Sequence, residues 1–187
     1  MADPEADPDA RLMLAFRAGD RAAFETLFQR HTPPLVNFLA RMVRDRGRAE
    51  ELAQEVFIRI YNARERYEAK ARFSTWMFGI AHNLALNDLD RAWRKRERPM
   101  DDGAETRHAD PGAGPEEQVD ARRTSERLET ALRGLPERQR AALLLRTNEG
   151  LGYDEIAEAL GVSMASVKSL IHRAREGLSQ KLREVGR

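Results

Sequence analysis

The sequence has no cysteine, which excludes disulfide scaffolds, thiolate zinc sites and thiol catalysis and fits a reducing compartment. Aromatic residues make up only 6% of its 187 residues, against 34% charged and 41% hydrophobic. That length suits one ordinary domain or two small ones. No apolar run approaches the roughly 20 residues needed to cross a bilayer, so no membrane insertion of its own is expected. Residues 1–10 carry Asp3, Glu5, Asp7 and Asp9 but no Lys, no Arg and no apolar stretch. They do not form a signal peptide, and a cytoplasmic protein is expected. His31, His82, His108 and His172 show no metal-ligand spacing, and there is neither a Gly-rich phosphate loop nor a nucleophile motif. No enzyme activity, metal or cofactor is therefore expected. Net charge is also almost lacking: 32 Lys and Arg against 31 Asp and Glu leave +1, which taken alone argues against a nucleic-acid partner.

The distribution of charge reverses that inference. Between Arg91 and Arg98 five basic residues (Arg91, Arg94, Lys95, Arg96, Arg98) stand against Glu97 alone. From Pro99 to Asp120 there are seven acids and one Arg, interrupted by Pro99, Gly103, Pro111, Gly112, Gly114 and Pro115. A segment so poor in large apolar residues and so rich in helix breakers predicts a flexible, self-repelling linker over 98–120. From Ser163 to Arg187 six basic residues outnumber two acids. Two basic lobes are joined by an acidic tether, although solvated helix faces of random sign remain an alternative on charge alone.

Outside the tether the periodicity is helical. Leu52, Val56 and Ile60 recur at i, i+4 and i+8, widened by Ala49 and Ala53. Two shorter amphipathic stretches precede them, with breaks or helix starts expected at Gly19-Asp20 and Pro33-Pro34. Phe73 to Leu89 predicts a further helix with Ser74 as N-cap. Arg122–Leu132, Glu137–Thr147, Tyr153–Leu160 and Ser163–Leu182 predict four more after the tether. No stretch alternates with period two. The expected fold is all-α, two small helical bundles over 11–97 and 121–185, preceded by a disordered acidic tail over 1–10.

The second bundle contains a specific pattern. Ala157, Gly161 and Val167 stand in the order small residue, glycine four later, β-branched residue six after that. A helix-turn-helix needs this order: close helix crossing, a positive-φ turn and an apolar plug in the interhelical angle. Asp154 and Ser163 are candidate caps. Such a unit lays its second helix in the major groove, so the side chains between core positions face DNA: Ala165, Ser166, Lys168, Ser169, His172 and Arg173. An ordinary α-hairpin also wants a glycine, but the three spacings and the basic second helix favour DNA.

In the first bundle, Arg48 to Tyr61 pairs an apolar stripe with an acidic face of Glu50, Glu51, Gln54 and Glu55. That face is either simple solvation or a docking surface. Arg72 to Arg96 combines Phe73, Trp76 and Phe78 with Asn83, Asn87 and the basic cluster. Rings, amides and cations together suit unstacked bases. Phe73 and Phe78 fit a core role, and spacing leaves Trp76 open.

AEELAQEVFIRIY, then FSTWMFGIAHNLALN, then LPERQRAALLLRTNEGLGYDEIAEALGVSMASVKSLIHRARE, in that order, resemble the extracytoplasmic-function group of bacterial sigma factors. The resemblance covers the chain apart from its acidic start and tether. It implies core RNA polymerase and promoter DNA as partners, with an anti-sigma factor as a third. It implies Glu51, Gln54 and Glu55 as polymerase contacts. Lys70, Arg72 and Trp76, in the loop and helix start that capture flipped −10 bases, and Asn83, Asn87, Arg91 and Arg94 beyond them, are implied −10 contacts. The −35 reader is implied to be Lys168, Ser169, His172 and Arg173 within the six residues above. One departure stands out. Housekeeping sigma factors carry a Trp pair where this chain has Gly79 and Ile80. Base flipping costs a few kcal/mol, so weaker general melting and stringent promoter choice are expected. The competing reading is a stand-alone helix-turn-helix regulator whose N-terminal bundle dimerises or senses a ligand.

Overall fold

The computed structural model describes residues 7–97 and 116–185, and among these it is helical with no strand. The helices are α1 (Pro8–Arg17), α2 (Arg21–Val43), α3 (Arg46–Ala63), α4 (Phe73–Glu97), α5 (Glu116–Arg133), α6 (Glu137–Thr147), α7 (Tyr153–Leu160) and α8 (Met164–Val185), with a 3-10 turn at Arg64–Arg66. α1 begins three residues inside the stretch expected to be a disordered tail, and α5 begins five residues inside the stretch expected to be linker. Residues 98–115, the rest of the expected tether, lie outside the described residues.

Local chemistry sets the boundaries. Gly19 adopts a φ of 108°, and Asp20 then caps α2 by accepting from the Ala22 and Ala23 amides at 3.0 and 3.3 Å. Asp45 caps α3 through the Arg48 amide at 2.8 Å. Pro33-Pro34, expected as a break, instead lies inside α2. Each proline removes an N–H that would have reached four residues back, so the Gln29 and Arg30 carbonyls lose partners. Both residues are exposed, so solvent can reach those carbonyls. Burial of Leu27, His31, Leu35, Val36 and Leu39 on the opposite side holds the helix continuous.

Ser74 does not cap α4. The helix starts one residue earlier, and the Phe73 amide donates to the Asp7 carboxylate at 2.8 Å, from 66 residues away. The same carboxylate accepts from the Asp9 amide at 3.2 Å and so caps α1. Asp9 in turn holds His31 at 2.8 Å and pairs with Arg30. These acids therefore pin the chain start to α2 and α4.

The helices α1–α4 form one group and α5–α8 another, and a continuous apolar core runs through both. α4 lies against α7 across the join. Gly79 makes this possible: a Cβ there would sit 3.3 Å from the Ala159 carbonyl oxygen, a backbone atom with little room to yield. α2 and α5 are tied by Arg41 to Glu129 at 2.9 Å.

Candidate polymerase and promoter surfaces

α3 buries Ala49, Leu52, Ala53, Val56, Phe57 and Ile60 and turns Glu50, Glu51 and Gln54 outward, with Glu55 half-exposed. The acids are not bare. Arg48 reaches Glu51 at 2.6 Å and also Asp88 on α4 at 2.6 Å. Hydrogen bonds to Asp88 and then Glu51 push the Arg48 guanidinium above its ordinary value. Arg59 pairs with Glu55 at 2.7 Å. Exposed pairs of this kind are worth well under 1 kcal/mol, so they orient the carboxylates and leave them free to exchange partners. Ile58, seven residues after Glu51 on the same side, is 59% exposed. Sequence reading missed it, although an isoleucine off the buried stripe was the available signal.

Between the 3-10 turn and α4 the chain crosses residues 67–72. Tyr67 is buried, and its ring lies 4.9 Å from that of Trp76, which in turn meets Phe73 edge-on at 6.1 Å. Burial, then the nearby Asp7 charge, pushes the Tyr67 hydroxyl up to about 12. Arg17 donates to the Tyr67 carbonyl at 2.8 Å. The segment is thus anchored from α1, the chain start and α4. Trp76 is partly buried and packs against the core, while Phe73 and Phe78 are fully buried. Lys70 is exposed and pairs with Glu68. Arg72 is half-exposed and reaches Glu155 on α7 at 3.4 Å.

Further along α4, Asn83, Asn87, Arg91 and Arg94 are all exposed. Their spacing of four, four and three places them on one side of the helix. Trp93, which sequence reading left out, is 61% exposed near the end of the same helix. On the opposite side His82 is buried with neither ring nitrogen hydrogen-bonded. Burial, then the Arg138 charge on α6, holds its pKa down to about 4. Arg140 on α6 is also buried with Nε and Nη1 unpartnered; burial, then the Arg44 charge, lowers it to about 10.

The turn between α7 and α8 has the geometry the spacing required. Gly161 has a φ of 64° and Val162 donates back to the Ala157 carbonyl at 3.0 Å. Val167, Ile171 and Ala174 are buried. Ala165, Ser166, Lys168, Ser169, His172 and Arg173 are all exposed. Ser163 caps α8 by accepting from the Ser166 amide at 3.1 Å. Its hydroxyl also meets that of Ser166 at 2.8 Å, which gives Ser166 a structural role besides its place on the outer face. Asp154 does not cap α7; instead Glu155 accepts from the Gly152 amide at 2.7 Å. His172 lies 3.5 Å from Glu176.

Among the described residues no group of three or more acidic or imidazole side chains is placed to hold a metal. Among the described residues no helix is long and apolar enough to cross a membrane. These features define an all-helical protein with a displayed helix-turn-helix in one helical group and a polar, partly aromatic face in the other.

Comparison with known proteins agrees with that class. Residues 27–95 match the family described as Sigma-70 region 2, and residues 125–178 match Sigma-70, region 4. The chain is 31% identical to the RNA polymerase sigma-H factor of Pseudomonas aeruginosa over 94% of both chains. It is 35% identical to the RNA polymerase sigma factor CarQ of Myxococcus xanthus over 92% of this chain and 97% of that one. A structure of CnrH in complex with the cytosolic domain of CnrY shares the fold, with a TM-score of 0.72 at 24% identity, over 95% of this chain and 99% of that one. The chain belongs to the sigma-70 family, in its extracytoplasmic-function group. It is a promoter-directing initiation factor whose partners are core RNA polymerase and DNA.

Proposed function

We propose that the chain divides this work between its two helical groups. The outer face of α8 reads −35 duplex through Lys168, Ser169, His172 and Arg173, flanked by Ala165 and Ser166. The 67–72 segment, with Lys70, Arg72 and Trp76, captures opened −10 bases, and Asn83, Asn87, Arg91 and Arg94 hold the adjoining DNA. Glu51, Gln54 and Glu55, extended by Ile58, dock on core polymerase. All of this takes place in the cytoplasm, where core polymerase and DNA are found. A dissociable protein inhibitor of the anti-sigma kind would act by covering these faces.

The observation that carries the reading is on α8. Its buried residues recur at 167, 171 and 174, and all six side chains named, two just before 167 and four between these positions, are exposed. Such a helix is built to be docked along one face, and a basic outer face suits a major groove. Lys168→Ala and Arg173→Ala in reconstituted holoenzyme test it. A base contact, worth about 1–3 kcal/mol, relaxes preference at one −35 position. A phosphate contact weakens all sites alike and reduces the salt slope by about one. If both variants keep wild-type affinity, specificity and salt slope, α8 is not the reader.

A further inference from the structure

The two ends of the 67–72 segment share one support, and it is α1. At the first end Arg17, the last residue of α1, donates from Nη1 to the Tyr67 carbonyl at 2.8 Å. At the other, Asp7, the N-cap of α1, accepts from the Phe73 amide at 2.8 Å. The segment therefore runs alongside α1 in the opposite direction, held at both ends by one helix of ten residues. Among the described residues the backbone makes a single hydrogen bond within 68–72, from the Lys70 amide to the Glu68 carbonyl at 2.8 Å. None of residues 68–72 is buried.

The support is itself fixed. Ala10, Met13 and Phe16 are buried, so α1 packs through its apolar side. Asp9 holds His31 of α2 at 2.8 Å, and the His31 ring lies 5.1 Å from that of Phe73. Arg17 adds nothing to that packing, since its side chain is exposed. Its bond is to a carbonyl 50 residues away in sequence, at the edge of a segment with almost no backbone bonding of its own.

We propose that α1 is a brace for −10 recognition, resting on the −10 reading above. Arg17 and Asp7 are positioning residues: they fix the ends of the segment and so set where Lys70, Arg72 and Trp76 meet the opened bases. Ordering a flexible backbone at the moment of binding is unfavourable residue by residue. A segment braced beforehand avoids that cost and binds more tightly. It also discriminates more sharply, because a loose loop re-packs around a wrong base whereas a fixed one does not. The brace therefore acts on base choice, through the loop, without either side chain touching DNA.

The test uses full-length chain bound to core polymerase and a fork-junction form of a promoter that the wild-type holoenzyme transcribes, with its −10 strand unpaired. Affinity is measured for the matched strand and for strands with one −10 base replaced, and the readout is the ratio of the two. Any loss of folded protein lowers both affinities alike and cancels. A wrong base weakens binding about 5- to 150-fold, and Arg17→Ala and Asp7→Ala are each expected to cut that ratio at least about threefold. Arg17→Lys, which still offers an N–H to the Tyr67 carbonyl, is expected to restore most of it. Wild-type ratios in both alanine variants overturn the proposal. So does a lysine variant no better than alanine, or an equal loss on matched and mismatched strands with a smaller salt slope, which would make Arg17 a phosphate contact. If the wild-type holoenzyme discriminates at no −10 base, the −10 reading and the brace fall together; if it discriminates and both alanine variants match it, the −10 reading stands and the brace alone falls.

Discussion

A single carboxylate, that of Asp7, starts two helices separated by most of the first helical group. One of its oxygens accepts from the Asp9 amide and the other from the Phe73 amide. Caps are worth about 0.5–2 kcal/mol each. Asp7→Ala is therefore expected to cost about 1–3 kcal/mol, and at roughly 2–4 °C per kcal/mol for a chain of this size the melting temperature falls measurably. Ser74→Ala, at the position the sequence itself suggests for the cap, is expected to change stability by less than about 0.5 kcal/mol. The reverse ranking in a thermal melt would refute the assignment. Glu55 has a different kind of job. Its bond to Arg59 is a half-exposed i,i+4 pair, worth about 0.3–0.5 kcal/mol. Glu55→Lys should then leave the fold intact while abolishing core polymerase binding; wild-type affinity removes Glu55 from that interface.

Among the elements, α4 has the most demanding environment, because it is buried on one side by α7 and presents its other side outward. His82 on the buried side is held neutral, down to about 4 from 6.5. A depressed histidine contributes stability that is present above pH 6.5 and is lost as pH falls through about 4. Lowering the pH from 7 to 4 should therefore remove on the order of 3 kcal/mol through this group. Comparing urea unfolding of the wild type and His82→Leu at the two pH values isolates it, since other groups titrate in both. An equal loss in the two proteins would exclude His82. The α7–α8 turn was legible in the sequence because Ala157, Gly161 and Val167 act over a local spacing, and the structure gives each the conformation or burial that spacing demands. The α4 start was not legible, because its cap lies 66 residues away. Pro33-Pro34 misled for a related reason: the proline rule is local, whereas burial of Leu27, Leu35 and Leu39 on α2 is tertiary. The outward positions of Ile58 and Trp93 depend on which helices pack around them, and periodicity over so few apolar residues does not encode that.

At the scale of the whole molecule the two helical groups are closed on each other, with Gly79 against the Ala159 backbone and Arg72 reaching Glu155. Promoter elements centred near −35 and −10 are 25 base pairs apart, about 85 Å of duplex at 3.4 Å per pair. An arrangement in which α7 touches α4 does not span that distance, so α7 must leave α4 when both elements are read. The absence of cysteine makes the distance measurable. With Asn62→Cys and Gln180→Cys carrying a dye pair, energy transfer is expected to fall sharply when holoenzyme binds promoter. Unchanged transfer would contradict simultaneous reading by the two groups. The same closure bears on position 79: a Cβ there would sit 3.3 Å from the Ala159 carbonyl oxygen, so this close approach of α4 to α7 favours glycine. The most direct test of the account as a whole is in vitro transcription by core RNA polymerase with and without this chain, on templates carrying its cognate −35 and −10 elements. A discrete promoter-specific transcript is expected only when the chain is present, and it is lost when either element is scrambled. Equal transcription with and without the chain, or a transcript indifferent to both elements, would contradict it.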